Sequence, residues 1–134
     1  MKKVAIDASP TKSGHSLRGI GSYTRQLLNQ FKKGKWPTEF EFFTDPATPP
    51  PADLVHYPYF DLFFHTLPGK KSVARGVTIH DVIPLVFPRY FPAGIKGYIN
   101  LFFQKRALAD TDFIICDSGT SKKDIIDKLQ ISDE

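Results

Sequence analysis

Cysteine, methionine and tryptophan each occur only once among the 134 residues of this chain. A single cysteine excludes an intramolecular disulfide framework and a zinc cluster held by several cysteines. Long hydrophobic runs are also missing, since no segment approaches the roughly 20 apolar residues that span a bilayer. The first ten residues, MKKVAIDASP, contain too short an apolar stretch for a secretory signal peptide. These absences lead us to expect a soluble, cytoplasmic protein.

Positive charge exceeds negative charge only slightly in this chain. The formal net charge is +4 and the pI is near 9.2, which suits an anionic membrane surface or a phosphorylated ligand. No nucleic-acid motif accompanies the basic residues, so nucleic acid is not an expected partner.

The Walker A pattern and the full G-x-G-x-x-G fingerprint are absent. Two interpretations of Gly19 and Gly21 therefore remain. They form either an anion-binding helix start or a loop that needs positive φ.

Material for a hydrophobic core is plentiful, because 41% of the residues are hydrophobic and 12 are phenylalanine. A chain of this length forms one domain of ordinary size, residues 1–134. Short apolar segments predict five strands, at residues 3–8, 40–43, 53–57, 72–80 and 113–117. Helical periodicity predicts three helices, around Tyr23–Phe31, over 94–110 and after Ser118. Strands that alternate with helices predict an α/β fold with a parallel sheet covered on both faces.

The segment from residue 83 to residue 110 carries two further predictions. Residues 83–94 are expected to form a loop, because Pro84 disfavours helix at the residue before it. The helix over 94–110 is expected to bury an apolar face made of Ile95, Tyr98, Ile99, Phe102 and Ala109.

Aromatic residues crowd two predicted loops, at 58–71 and 83–94. Exposed aromatic clusters mark an interface, a ligand groove or a membrane contact, while the alternative is that the rings fold back as a satellite core. Arg89 and Lys96 beside the second loop suit anionic head groups.

Ligands of open α/β sheets bind outside the carboxyl ends of the strands. The residues that this rule selects are Asp7, His56, Tyr57, His80, Asp81, Asp117 and Ser118. His80 has three interpretations, as a general base, as a group that holds a substrate hydroxyl, or as a structural histidine bonded to a carbonyl. A metal held by Asp7, His56, His80 and Asp81 would instead indicate a small metal-dependent hydrolase, although their spacing matches no specific ligand motif.

Four segments, in this order, resemble the N-terminal domain of retaining GT-B glycosyltransferases of family GT4. They are IDASP…RGIGSYTRQLL, DLVHYPYF, VTIHDVIPLVFPRYFP and RALADTDFIICDSGTSKKDI. The resemblance implies a Rossmann-like domain that forms the acceptor-binding half of an enzyme transferring a sugar from a nucleotide sugar. It implies no metal or other cofactor, and a lipid-linked or polysaccharide acceptor would fit the basic and aromatic loops.

The resemblance also implies roles for individual residues. The donor diphosphate would be approached by Gly19, Ile20, Gly21 and Ser118. His80 would face the sugar and the acceptor as a catalytic residue, with Asp81 beside it. The acceptor site would include Asp7, Tyr57, Tyr59, Arg89 and Tyr90. Where the family often has an arginine two residues after the aspartate, this chain has Ser9.

The donor-binding domain of the family, with its E-x7-E motif, has no counterpart in these residues. Two explanations are open: a split enzyme whose partner is a separate donor-binding subunit, which we favour, or a truncated form of a longer enzyme. In both cases we expect the isolated chain to lack transferase activity. The expected location is cytoplasmic, peripheral to the inner face of the plasma membrane. The alternative is a non-catalytic binding or assembly module that has the same fold.

Overall fold

The computed structural model describes residues 1–14 and 16–133, and it contains one five-stranded, all-parallel sheet. The strands are β1 Lys2–Asp7, β2 Thr38–Phe43, β3 Leu54–Tyr57, β4 Ala74–Thr78 and β5 Phe113–Ile115. The helices are α1 Gly19–Lys33, α2 Ile83–Val86, α3 Gly94–Ala109 and α4 Gly119–Leu129, with a 3₁₀ turn at Ser9–Thr11. The strand order β2-β1-β3-β4-β5 confirms the predicted α/β fold with a Rossmann-like parallel sheet.

Two neighbouring residues of β1, an interior strand of the sheet, show that the core has two layers. Ala5 belongs to the larger core, in which β3 and β4 pack with α3 and α4 through residues such as Leu108 and Ile125. Ile6 belongs to a smaller core with Leu28 of α1. Successive residues of a strand point to opposite faces of a sheet, so helices lie on both faces.

The coverage of the sheet is incomplete at β5. Phe113 and Ile115 of this edge strand are exposed, and α1 makes its main contacts with the 3₁₀ turn and β2 at the other edge. Phe113 is in register with Gly76 of β4, and its ring occupies the space that a side chain at position 76 would need. The prediction of a sheet covered on both faces therefore holds only for its central and β2 portions.

The helix boundaries follow from ordinary capping chemistry. Lys32 and Lys33 lie in the last turn of α1, where positive charge meets the negative end of the helix dipole, and Gly34 is the C-cap. Ser118 is the N-cap of α4, because its Oγ accepts the backbone N–H of Ser121 at 3.0 Å. Both caps confirm the sequence prediction.

The prediction of a plain loop over residues 83–94 is wrong at its start. Residues Ile83–Val86 form the short helix α2, and Pro84 lies in its first turn. Proline is tolerated there because the first turn of a helix has no intrahelical acceptor for its N–H groups.

The predicted buried face of α3 is also wrong. Its five members, Ile95, Tyr98, Ile99, Phe102 and Ala109, are all exposed. The buried residues are instead Gly97, Gln104, Ala107 and Leu108. The Gln104 amide accepts the N–H of Leu67 at 3.4 Å and donates to Thr66 Oγ1 at 2.8 Å. The helix thus packs against the loop at 58–71, whose buried backbone groups need a polar partner.

Within residues 1–14 and 16–133, no helix combines the length and the apolar character that a membrane crossing requires.

Candidate functional site

A pocket of about 240 Å³ lies at the carboxyl edge of the sheet, where the sequence rule places a ligand. Four of the predicted site residues meet there. They are Ile20 from the first turn of α1, Tyr59 from the segment after β3, and His80 and Asp81 from the segment after β4. Leu62, Phe63 and Phe64 of the aromatic loop supply an apolar wall. The pocket therefore combines polar groups, apolar surface and a helix N-terminus.

His80 is held by contacts on both ring nitrogens. Nδ1 lies 2.7 Å from Oδ2 of Asp117, and Nε2 lies 3.1 Å from the carbonyl oxygen of Pro58. A carbonyl oxygen can only accept a hydrogen bond, so Nε2 is the donor in that contact. Tyr23 of α1 adds an edge-to-face ring contact with a centroid separation of 4.7 Å.

These contacts argue against one of the three interpretations of His80, the general base. Both ring nitrogens are engaged by atoms of the protein, so neither is free to take a proton as a general base. The geometry therefore favours a positioning role over proton abstraction, and the contact with the Pro58 carbonyl is the one that a structural histidine would make. The His80 side chain is 18% exposed, while that of Asp117 is 51% exposed, so the pair opens to solvent on the Asp117 side.

Asp117 was among the strand-end residues, yet the sequence assigned it no role. A signal for the pairing exists, because Asp117 and His80 follow strands that turn out to be neighbours in the sheet. Tyr23 was expected only as part of the first predicted helix, and sequence alone does not place its ring against His80.

Asp81 and Asp61 shape the walls of the pocket. Oδ1 of the exposed Asp81 accepts the N–H of Ile83 at 3.0 Å, which fixes the turn into α2. Oδ1 of Asp61 accepts the N–H groups of Phe63 and Phe64, and its Oδ2 accepts the Tyr59 hydroxyl at 2.5 Å. Burial is the main cause that raises the pKa of Tyr59 well above its usual value, and the hydrogen bond to Asp61 raises it further. Sequence reasoning missed Asp61, although an aspartate that opens a turn is a common loop-shaping residue.

Asp7 lies in a neighbouring cavity of about 200 Å³, which shares Tyr59 with the His80 pocket. Its carboxylate is buried and accepts the backbone N–H of Ser9 at 2.8 Å and the Ser9 hydroxyl at 2.9 Å. Burial raises the pKa of Asp7, and the two bonds from Ser9 oppose that effect. Ser9, which stands where the family often has arginine, thus serves to hold Asp7.

The glycines of the Gly19–Ile20–Gly21 segment form the first turn of α1. Among the described glycines only Gly94 has a positive φ, of 65°, so the alternative of a loop that needs positive φ is wrong for Gly19 and Gly21. Arg18, the N-cap residue, makes no side-chain capping bond, and a Cβ at Gly19 would meet no atom within 4 Å. This helix start is therefore open to approach at Gly19, whereas Gly21, two residues further on, is buried.

Ser118 begins the other candidate helix start, but its hydroxyl already serves α4 as the N-cap. Besides accepting the N–H of Ser121, it donates to the hydroxyl of Ser121 at 3.1 Å. Any contact of Ser118 with a diphosphate would compete with this cap.

Several predicted residues do not reach the His80 pocket. Tyr57 is buried in the core, where its hydroxyl donates to the Pro46 carbonyl at 3.2 Å and burial raises its pKa to about 12. Arg89 and Tyr90 are exposed between α2 and α3, and neither lines the pocket. His56 is buried with Nε2 2.9 Å from Thr78 Oγ1.

The metal-dependent hydrolase has no support in this geometry. Within the part of the chain that the structure describes, no three His, Cys, Asp or Glu side chains come close enough together to hold a metal ion. His56 contacts Thr78 and His80 contacts Asp117, so the proposed ligands do not converge.

No family model, curated protein or solved structure matches this chain. The likeness to family GT4 therefore rests on the motifs of the sequence, and the function has to be argued from the site.

Proposed function

We propose that residues 1–134 form the acceptor-binding half of a retaining glycosyltransferase of the GT-B type, which acts together with a donor-binding domain that these residues do not contain. The observation that carries the proposal is the meeting of Ile20, Tyr59, His80 and Asp81 in one pocket at the carboxyl edge of the sheet. These are residues to which the resemblance gives a role, or their direct neighbours, and they come from segments 20 to 60 residues apart. The proposal needs no metal and no other cofactor.

The proposed chemistry depends on positioning and on electrostatics. The open first turn of α1 stabilises the negative charge of the donor diphosphate through the N–H groups of Gly19, Ile20 and Gly21. The acceptor hydroxyl is aligned beside the anomeric carbon in the His80 pocket. As the acceptor oxygen bonds to that carbon, the bond from the carbon to the diphosphate oxygen breaks. The hydroxyl proton goes to the departing diphosphate, since both nitrogens of His80 are already engaged.

We further propose that this half-enzyme works on the cytoplasmic side, at the inner face of the plasma membrane. Its net charge of +4 and its exposed aromatic residues support that location, and a lipid-linked or polysaccharide acceptor fits it.

A reconstitution assay tests the proposal. The chain is mixed with a donor-binding domain that carries the E-x7-E motif, and transfer of labelled sugar from a panel of nucleotide sugars to membrane and polysaccharide extracts is measured. We expect no transfer by the chain alone, transfer by the mixture, and loss of transfer with His80→Ala. Lys33→Ala, an exposed substitution at the far end of α1, is the matched control and should keep full transfer. Robust turnover by the chain alone would overturn the proposal.

A second experiment needs no partner. Inorganic pyrophosphate is titrated into the ¹⁵N-labelled chain, and we expect amide shifts at Gly19, Ile20 and Gly21 but none at the exposed Gly69. Shifts spread over all lysine-rich surfaces would indicate unspecific attraction and would remove the donor-side role of α1.

One observation supports the second candidate, a non-catalytic assembly module with the same fold. The two contacts of His80 satisfy its ring without any ligand, as in a structural histidine. Unchanged transfer by His80→Ala in the reconstituted mixture, or no transfer under any condition, would favour this candidate.

A further inference from the structure

Helix α3 presents a stripe of large apolar side chains to solvent. The stripe consists of Ile95, Tyr98, Ile99 and Phe102, which are 84%, 52%, 52% and 57% exposed. Their spacing of three and four residues places them on one face of the helix. The opposite face attaches α3 to the domain through Gln104, Ala107 and Leu108. The stripe is therefore not the side of α3 that the fold needs.

The stripe belongs to a segment of the chain in which exposed apolar side chains are frequent. Of the fifteen large apolar side chains that are exposed in the described chain, nine lie between residues 83 and 103. They include Phe87, Tyr90 and Phe91 from the loop that precedes α3. Contiguous exposed apolar surface of this kind marks a docking surface, because leaving it in water is unfavourable.

The segment that carries the stripe has charge of one sign only. Residues 82–109 contain four basic residues, Arg89, Lys96, Lys105 and Arg106, and no acidic residue. The cations of this segment are therefore not offset by any acidic residue within it.

The positions of these cations fit a helix that lies in a membrane surface. Lys96 and Lys105 are nine residues apart, which at about 100° per residue puts them on opposite sides of the helix. The stripe lies between them. Lys96 is exposed and can lay its aliphatic stem along the apolar surface with its ammonium extended outward, whereas Lys105 is half-buried with its Nζ 3.5 Å from Gln130 Oε1. The Arg106 guanidinium lies over the Phe102 ring, 5.8 Å from its centroid, at one end of the stripe.

We propose that the stripe of α3 docks on an anionic membrane surface, with its rings and isoleucines at the boundary of head groups and acyl chains. A second copy of the chain fits less well, because a two-fold contact would bring two sets of four cations together without an anion between them. The proposal deepens the peripheral location proposed above and does not depend on sugar transfer.

Vesicle sedimentation tests the proposal with the whole chain and two lipid compositions, phosphatidylcholine alone and phosphatidylcholine mixed with phosphatidylglycerol. We expect binding to the anionic vesicles, weakened by salt, and much weaker binding to the neutral ones. Lys96→Gln together with Lys105→Gln should weaken binding roughly 25-fold, at about fivefold for each cation near the surface. Ile95→Ser, Ile99→Ser and Phe102→Ser combined should abolish it.

Matched substitutions elsewhere distinguish an effect of the stripe from an effect of the total charge or the total exposed apolar surface of the chain. Lys33→Gln with Lys35→Gln removes two exposed cations at the end of α1, and Leu17→Ser removes an apolar side chain that is fully open to solvent. Both controls should bind like the unsubstituted chain. Binding lost equally in controls and stripe variants would overturn the proposal.

Tryptophan fluorescence measures the insertion of the stripe into the membrane directly, without removing an apolar or basic side chain from it. Ile95→Trp, in a chain that also carries Trp36→Phe, should show a blue-shifted emission with anionic vesicles, because the indole enters an apolar environment. An unshifted emission would overturn membrane docking. So would a concentration-dependent dimer that Ile99→Arg dissociates, since the stripe would then be covered by a second copy. Vesicle binding without sugar transfer would leave this proposal standing and refute the proposed activity alone.

Discussion

Nδ1 of His80 lies 2.7 Å from Oδ2 of Asp117, and this contact joins the segments that follow β4 and β5. Because Nε2 of the same ring contacts the Pro58 carbonyl, a single imidazole connects the segments that leave three neighbouring strands. The edge of the sheet where we place the donor and the acceptor is therefore organised around one side chain. A change at His80 is expected to alter the local structure as well as any chemistry.

A double-mutant cycle tests this coupling. His80→Ala leaves the buried Pro58 carbonyl without its donor, so we expect the free energy of unfolding to fall by about 1–3 kcal/mol. Asp117→Asn affects a half-exposed partner and should cost less. The coupling energy between the two positions should be about 0.5–1 kcal/mol, as for side chains in direct contact. Urea unfolding of the single and double variants measures this coupling energy, with the exposed Asp127→Asn as control. Strictly additive effects of the two substitutions would contradict the contact.

The stability of the fold should depend on pH through His56. Burial lowers the pKa of His56 to about 4 in the folded chain, whereas the unfolded chain takes up the proton near 6.5. The unfolded state therefore binds more protons between these values, so stability is complete above pH 6.5 and falls as the pH drops towards 4. The total loss should be about 3 kcal/mol.

The free energy of unfolding of the chain and of His56→Gln, measured across this pH range, isolates the effect. Glutamine keeps a polar partner for Thr78 but does not titrate, so the difference between the two proteins should shrink as the pH falls. The raised pKa of Asp7 acts in the opposite direction in both proteins and cancels in the difference. A His56 ring signal that titrates in the folded chain near 6.5 would contradict the prediction.

Gln104 should be the most sensitive position of α3. Its amide contacts Leu67, Thr66 and the Asp61 carbonyl, and it is fully buried. Gln104→Leu should lower the free energy of unfolding by about 2–3 kcal/mol, because it leaves buried polar groups of the aromatic loop without partners. Gln30→Leu on the exposed side of α1 is the matched control. Faster hydrogen exchange at the Leu67 amide should accompany the loss, and equal effects of the two substitutions would refute the assignment.

Gly19→Ala should have opposite effects on stability and on the proposed function. A Cβ at this position meets no atom, so alanine in place of glycine should stabilise α1 by about 0.5 kcal/mol. The same methyl group would stand in the approach to the first-turn N–H groups and should weaken pyrophosphate binding. Gly119→Ala, at the first residue of α4, should show the gain in stability, and Gly69→Ala should leave pyrophosphate binding unchanged. Full binding by Gly19→Ala would remove this glycine from the donor site.

The periodicity of the sequence predicted the elements of the fold well. The apolar segments located all five strands, and the cap residues Ser118 and Gly34 marked helix ends correctly. These features are local, since a strand or a cap is encoded by residues a few positions apart. The position of the pocket also followed, because the carboxyl ends of parallel strands share one edge of the sheet.

Apart from the short helix α2, which is a local feature, the failures concern relations between distant segments. Periodicity showed that α3 has an apolar face, but it could not show that the loop at 58–71 would take the Gln104 side instead. The His80–Asp117 pair required the order of the strands, which no local pattern contains. Tyr57 has the right place at a strand end, yet its side chain points into the core, where an aromatic ring finds more contacts.

The packing of Phe113 over Gly76 has an evolutionary consequence. The phenyl ring needs the space of a missing side chain, and β5 is an edge strand of the sheet that residues 1–14 and 16–133 form. Positions 76 and 113 are therefore constrained as a pair, although they are 37 residues apart. In homologous chains a residue with a side chain at position 76 should occur with a small residue at position 113, and a change at only one of them should be selected against.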